Sequence, residues 1–476
     1  MTQPPRKSDG TSRPQKSSSP PRNKPGQMIS PDALRLEAEK TPGLPARLAA
    51  AAIVSEVLGS GNALDERFAS DDSHAKLSAL DPRDRGLARS IAIVSLRRLG
   101  TIRYCMAALL ERGLPKQVGQ LEWILVTGAA QILFLDVPDH AAVDLAVRAV
   151  RLDPKTAAFA GMVNGVLRNL IRRRDEFLAG SDPLDHDTPQ WLAARWRKTY
   201  GEDVARAIAS ANVQEPTLDL SVKSDAEGWA QRLDGDVLPT GSVRLRGHVP
   251  IAELEGYHDG EWWVQDVAAS LPAKLLAVQP GERVADICAA PGGKTAQLAA
   301  AGADVTAIDR SAERLKRLKS NLSRLELEAD VVVADAASYS AASFDAVLVD
   351  APCTATGTIR RHPDVAWTKK TGDIGTLAKV QERILDRAIA LTKPGGRVVY
   401  CTCSLEPEEG EQQIAALLRR NPDVSRSPIL ASEVGGMVEI INENGEVRTL
   451  PSYLQRGDAR QSGMDGFFAA RLIRNI

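Results

Sequence analysis

Apolar positions recur along this chain with two different periods, and the change from one to the other divides it. From about Pro45 to Arg174 the spacing is helical. The stretch FAGMVNGVLRNLIRRR puts Phe159, Val163, Val166, Leu167 and Leu170 on one helix face, with Arg168, Arg172, Arg173 and Arg174 on or beyond the other. Pro138-Asp139 opens a second amphipathic stretch, HAAVDLAVRAVR. Several such helices predict an all-α domain over residues 43–180. The segment AGSDPLDHDTP, 179–189, has the composition of a linker. Residues 181–256 then combine it with a helical PQWLAARWRKTYG and short strand-like runs, which predicts a linker and a small α+β domain.

From about Glu261 the period shortens. RVADICA, DVTAIDR, ADVVVAD, FDAVLVD and GRVVYCT are apolar strand runs separated by helical segments such as SAERLKRLKSNLSRL. Strands alternating with helices predict a parallel, doubly wound sheet, so residues 257–476 are read as a Rossmann-like α/β domain. An Asn444-Gly445 hairpin signal and the run DGFFAARLI predict an antiparallel edge at the C-terminal end. No fixed-period repeat is evident.

Composition adds three constraints. The 476 residues allow two to four domains, and a formal net charge of −1 does not by itself announce a polyanionic partner. Residues 1–28 are rich in Pro, Ser, Lys and Arg and nearly devoid of large apolar side chains. They head a basic leader, 1–42, that is expected to be disordered, either touching nucleic-acid backbone or simply solvated. The five scattered cysteines argue against a disulfide framework and for a reducing, cytoplasmic setting. There is no apolar run of about 18 residues and no secretory signal, so no membrane partner is expected.

Candidate chemistry gathers at the ends of the predicted strands. ADICAAPGGKTAQLAA leaves a strand and enters a helix through Pro291-Gly292-Gly293. Glycines let backbone approach a ligand, and a helix start offers free N–H groups. This is not a P-loop, because Cys288 stands where that motif requires Gly. Asp309 ends the next strand, where an acidic side chain can hold ribose hydroxyls. Asp335 ends the third strand and Asp350 the fourth. This set suits a nucleoside-bearing cofactor without pyrophosphate, with helix capping as the plainer use of an aspartate.

Two cysteines sit at the same end. Cys353 follows the fourth strand in DAPCTATG, and Cys403 follows the fifth in CTCS. Ligands of open α/β sheets lie outside the carboxyl ends of the strands, so both are expected to face one cleft. Cys401 is expected to pack within its strand, Cys288 to matter through its backbone, and Cys105 to fill the helical core. Zinc would need further Cys or His ligands at regular spacing, so no metal is expected. A nucleophilic thiolate is the sharper reading, helped by Lys294 or nearby arginines; inert packing is the plainer one.

Taken together, DICAAPGGKT, VDAPCTATGTIRRHPDVAW, YCTCSLEPEEGE, WWVQDVAAS and DGFFAARL resemble the RNA cytosine-5 methyltransferases of the Sun/Fmu/RsmB type. DPRDRGLARSIAIVSLRRLG and HAAVDLAVRAVR with FAGMVNGVLRNL look like the NusB-type helical RNA-binding domain fused to the bacterial small-subunit ribosomal RNA enzyme. The resemblance runs from about Pro45 to the C-terminus. It implies three parts: an all-α NusB-like N-terminal domain, a small α+β middle domain, and an α/β Rossmann-like domain that depends on S-adenosylmethionine.

The resemblance also implies roles. Cys403 is expected to add to C6 of cytosine, and Cys353 to assist release of the enzyme–RNA adduct. The residues alone do not separate these two roles, since related DNA enzymes use the Pro-Cys cysteine as nucleophile. Cys288, Ala289, Ala290, Pro291, Gly292, Gly293 and Lys294 are expected to line the methionine and ribose end of the cofactor. Asp309 is expected at the ribose and Asp335 beside the adenine. Asp350 is expected between cofactor and base. The run TIRRHPDVAWTKK, with Arg360, Arg361, His362, Lys369 and Lys370, is read as an RNA-contacting loop.

The implied partner is small-subunit ribosomal RNA, and a monomer is expected. The same chemistry on transfer RNA or another ribosomal site is an alternative. A non-catalytic NusB-like binding protein is another, although both cysteines and the glycine turn are intact. Two features depart from the family pattern: the long basic leader, and LDLSVKSD in place of an Arg-Val-Asn-like run.

Overall fold

A computed structural model of the chain describes residues 1, 40–69, 77, 80–115, 118–247 and 249–476. Nearly all of the basic leader read at 1–42 lies outside the described residues.

The helical expectation holds over the N-terminal third. Helices Leu44–Ser60, Pro82–Arg97, Leu99–Leu109, Asp139–Leu152 and Ala160–Arg172 surround Leu121–Phe134, whose sequence EWILVTGAAQILF is apolar on nearly every side. A helix of that composition has to be covered all round. At Gly128 a Cβ would stand 3.1 Å from Leu167 Cδ1, so the two helices meet closely there. Val163, Val166, Leu167 and Leu170 are buried, as their spacing requires. Cys105 fills this core, and burial pushes its thiol up to about 11.

The segment expected to be a linker is docked instead. Residues Pro183–Asp187 form a π-helical turn with Leu184 and Asp187 buried. The Asp187 carboxylate accepts hydrogen bonds from Thr101 N at 2.8 Å and Thr101 Oγ1 at 2.7 Å, and pairs with Arg98 at 3.3 Å. Polar composition signals a linker only when the polar groups face water, and here they are used internally.

The middle of the chain is two things rather than one small domain. Helices Gln190–Tyr200 and Glu202–Asn212 bury Leu192, Trp196 and Ile208 in a cluster that includes Ile359, Val365, Leu405 and Leu450. The strands β1 (Asp219–Val222), β2 (Gly235–Val237), β3 (Val243–Leu245) and β4 (Trp262–Val264) form an antiparallel sheet in the order β2-β3-β1-β4. Its core holds Leu220, Trp229, Val243 and Trp262. A boundary at 256/257 would cut β4 from this sheet; three residues are too few to carry a readable period.

The large sheet comprises β5 (Arg283–Ile287), β6 (Asp304–Asp309), β7 (Asp330–Val333), β8 (Phe344–Asp350), β9 (Thr392–Thr402), β10 (Val424–Arg426), β11 (Val447–Thr449) and β12 (Phe467–Arg474). Its order is β10-β12-β9-β8-β5-β6-β7, with β11 also on β12. Strands β5 to β9 run parallel, and β12 runs antiparallel between β9 and β10. The predicted parallel core and antiparallel C-terminal edge are both present. The order reverses at β5 and β8, so the crevice for a ligand opens beyond their carboxyl ends.

A buried ionic seam joins these parts. Arg244 and Asp219 are both fully buried, with N–H···O bonds of 2.7 and 2.8 Å. Arg361 donates to Asp266 at 2.6 Å and to Asp465 at 3.2 Å. Burial opposes ionisation of Asp266, yet Arg361 and Arg360 hold it down at about 2; burial and the Asp266 charge push Asp465 up to about 6. Arg360 is 1% exposed and donates to Ser462 O at 3.0 Å. From the helical domain, Arg97 donates to Arg360 O at 3.0 Å, while Trp367 Nε1 donates to Leu96 O at 2.8 Å. His362 faces Asp65 at 3.2 Å. For Arg360 and Arg361 this departs from the reading of TIRRHPDVAWTKK as an RNA-contacting loop. Both guanidiniums are spent inside the protein, in the seam between the helical and α/β parts.

Removing one partner of a buried ion pair leaves the other charge uncompensated. Arg361→Met is therefore expected to lower unfolding stability by about 3–5 kcal/mol, read as a shifted urea midpoint. An unchanged midpoint would show that Asp266 and Asp465 take up a proton at little cost.

Candidate active site

The site begins with a strand register. β8 and β9 pair in parallel with Asp350 opposite Cys401. Beyond that rung, Ala351 N donates to Cys401 O and Gly357 N donates to Cys403 O, each at 2.9 Å. The two chain segments therefore leave the sheet side by side. Cys353 and Cys403 are half-buried, and their sulfurs lie 3.5 Å apart. Cys401 is fully buried, as expected, but its Sγ also reaches Asp350 Oδ1 at 3.6 Å.

Across from the sulfurs stands one cation. Lys294 Nζ donates to Asp350 Oδ2 at 2.8 Å and sits 4.9 Å from the centre of the Phe467 ring. Burial disfavours its charge, but Asp350 and the sulfurs of Cys401 and Cys403 outweigh that, and its pKa rises. The Cys353 thiol is pushed well up by its contact with Cys403, by burial and by the Glu409 carboxylate.

The glycine turn leaves β5 beside these groups. Cys288 and Gly292 have φ of +62° and +104°. A Cβ on Gly292 would come within 2.8 Å of Leu318 Cγ, so conformation and space both require glycine. Gly292 caps the helix Gly293–Ala300, whose first N–H groups lie outside its own hydrogen-bond ladder. Ala289 N and Ala290 N are drawn to the end of β6, donating to Ile308 O at 3.1 Å and Asp309 Oδ2 at 3.3 Å. Pro291 carries the turn into Gly292. Burial, with Asp350 and Asp309, pushes the Cys288 thiol up to about 12, so its contribution lies in the backbone.

The aspartates differ in what they do. Asp309 is 3% exposed and accepts from Ser311 N at 2.9 Å, while Arg314 lies 3.5 Å away. It does not cap the following helix, because Ser311 does, accepting from Arg314 N at 3.2 Å. Asp335 is exposed two residues beyond β7 and accepts from Ala337 N at 3.0 Å. Lys369 and Lys370 lie past the seam, the first half-buried and the second exposed.

Sequence reasoning missed Asp286. It lies within β5, fully buried, with Oδ2 accepting from Thr295 Oγ1 at 2.6 Å. Its Oδ1 has no hydrogen-bond partner among the described residues. Burial pushes this carboxyl up to about 7. Inside the run RVADICA it read as part of a strand; the signal was a single acidic residue flanked by apolar ones. Among the described residues no group of His, Cys, Asp and Glu is arranged to hold a metal, and no helix is long and apolar enough to cross a membrane.

The sequence pattern of the family described as 16S rRNA methyltransferase RsmB/F matches residues 273–473, and that of the NusB family matches 44–172. Ribosomal RNA small subunit methyltransferase B of Cronobacter sakazakii is 35% identical over 411 residues, covering 82% of this chain and 91% of that protein. The chain belongs to this methyltransferase family. The Pasteurella multocida member is 34% identical over 458 residues, covering 91% of this chain and 97% of that one. Among solved structures, a methyltransferase homolog protein from Pyrococcus horikoshii is similar at 27% identity and a TM-score of 0.50, covering 63% of this chain and 98% of that one. The family match joins a NusB part and a methyltransferase part, as the fold does.

The turn at Gly292 provides a test. Gly292→Ala places a side chain in a left-handed conformation against Leu318 and is expected to cost about 1–3 kcal/mol. A thermal melt checks this, and an unshifted Tm would mean that the turn relaxes freely.

Proposed function

We propose that the protein methylates C5 of a cytosine in small-subunit ribosomal RNA, using S-adenosylmethionine. The observation that carries this reading is the 3.5 Å pairing of Cys353 and Cys403, beside Lys294–Asp350 and the glycine turn. An inert packing pair would have no need of a buried ammonium and a left-handed glycine at the same strand ends.

Residues Cys288 to Lys294, with Asp309 and Asp335, would hold the cofactor. The fit rests on the turn's close backbone, the free N–H groups at the helix start, and the unpartnered Asp286 Oδ1, which lacks a donor that a ligand amine can provide. Bound there, S-adenosylmethionine supplies an electrophilic methyl group.

Cytosine C5 is a poor nucleophile. Addition of the Cys403 thiolate to C6 makes C5 enamine-like; once C5 carries the methyl, loss of its proton and β-elimination restore the ring and free the sulfur. Covalent catalysis of this kind divides one hard step into easier ones. Asp350 is suited to bond the base near N3, and Lys294 to balance the charge. Cys353 assists release. The base has to reach two recessed sulfurs, so it enters unstacked.

The test compares wild type, Cys403→Ala and Cys353→Ala with labelled S-adenosylmethionine and unmodified small-subunit rRNA. Wild type should place label on cytosine C5. Cys403→Ala should lose transfer by about 10³-fold or more while still binding cofactor; normal turnover would remove Cys403 from the nucleophile role. Cys353→Ala should accumulate a denaturant-resistant enzyme–RNA band, and full turnover with no band would refute its part in release. Label on transfer RNA alone would keep the chemistry and change the substrate.

A further inference from the structure

Behind the two sulfurs lies a buried carboxylate that the chemistry above does not use. Glu409 has no exposed surface. Its Oε1 accepts from Thr354 N and from Gln381 Nε2, both at 3.0 Å; its Oε2 accepts from Thr354 N at 3.2 Å and from Thr354 Oγ1. The Ser404 hydroxyl lies 3.2 Å from Thr354 Oγ1. Thr354 directly follows Cys353, and Ser404 directly follows Cys403. Gln381 holds the other flank of Cys353 as well, donating to Pro352 O at 2.9 Å. The main chain of Glu409 is fixed to β9, its carbonyl accepting from Tyr400 Oη at 2.9 Å and Thr402 Oγ1 at 3.3 Å.

The amide partners can only donate to the carboxylate, and the Thr354 hydroxyl has a proton to give it. An ionised carboxylate only accepts, so this is the form that the pocket is built around, although burial raises the group's pKa. A buried charge is a costly way to fill space. What it obtains here is geometry: one rigid group tied to the residue after Cys353 and, through Thr354 Oγ1, to the residue after Cys403.

We propose that Glu409 is a positioning residue that sets the place of Cys353 relative to Cys403, and with it how a covalent RNA adduct divides between release and accumulation. The inference rests on the two-cysteine reading. Because Thr354 N and Oγ1 and, through Gln381, Pro352 all hang from this carboxylate, its loss loosens the Cys353 loop. Cys403 stays anchored by β9 and by Gly357 N.

The test runs Glu409→Gln and Thr354→Val beside wild type and Cys353→Ala. Circular dichroism and a melt establish folding, and Thr354→Val decides if Glu409→Gln does not fold. The first readout is the denaturant-resistant adduct with small-subunit rRNA. Glu409→Gln should form adduct at nearly the wild-type rate yet accumulate it, with turnover down about tenfold or more. A merely structural role would slow formation and release together and give no band.

The second readout needs no RNA. Phenylarsine oxide bridges two close thiols, and its capture by the Cys353–Cys403 pair, scored against Cys353→Ala, should weaken by about tenfold in Glu409→Gln. A band in Cys353→Ala but none in Glu409→Gln overturns the positioning role and leaves the chemistry standing. No band in Cys353→Ala removes the release chemistry; arsenical capture then decides the clamp, unchanged capture overturning it.

Discussion

Asp350 pairs with Cys401 across β8 and β9, and most of what is distinctive about the site follows from that rung. Parallel neighbours end at the same height, so the loops that follow them emerge together. A cysteine three residues past Asp350 and another two residues past Cys401 then meet at 3.5 Å. A shift of the register by one residue would turn every side chain of one strand to the opposite face and separate the sulfurs. The rung is secured on both sides. Val347, Leu348 and Val349 are buried, and β12 covers the far edge of β9 with Phe468 opposite Thr402. The antiparallel C-terminal strand thus does more than close the sheet: it keeps β9 interior and brings Phe467 under the Lys294 ammonium.

The ionic seam has a related effect at longer range. Arg360 and Arg361 lie seven and eight residues after Cys353, and their bonds to Ser462, Asp266 and Asp465 fix the course of the chain just beyond the cysteine loop. Arg97 and Leu96 of the helical part hold the same segment from the other side. The helical domain is therefore braced against the loop that carries Cys353. That brace is made of buried, pre-paired groups.

The sequence carried more of the sheet than of the seam, and the reason is physical. Strand runs such as FDAVLVD and GRVVYCT are apolar on both faces, so their burial is written into their composition, and the sulfurs' common side follows from topology. The role of an arginine is not written there. TIRRHPDVAWTKK has the composition of a solvated basic loop, and only the distant Asp266 and Asp465 show that two of its charges are consumed inside. Asp187 misled in the same way: a polar run reads as linker until its partner, Thr101, is found 86 positions away. Asp286 went unread for the opposite reason, since a charged residue inside an apolar strand gives no periodic signal. Glu409 lay within an acidic run whose other members, Glu406, Glu408 and Glu411, pair with Arg195 and Arg448, and composition does not rank one carboxylate above its neighbours.

Two thiols this close cannot both ionise readily, because the second thiolate would form against the charge of the first. Which of them keeps its proton depends on what stands on either side. Cys403 shares its surroundings with the Lys294 ammonium, whose charged form is favoured in part by that sulfur. Cys353 lies toward Glu409, and its contact with Cys403, its burial and that carboxylate all favour the thiol. The pair thus has unlike neighbours, a buried ammonium paired with Asp350 and a buried carboxylate bonded to Thr354. Nothing in the motifs DAPCT and TCS distinguishes the cysteines chemically, since each is a thiol at a strand end. The asymmetry arises from residues at 294 and 409, on other elements, without requiring any difference between the two cysteines themselves.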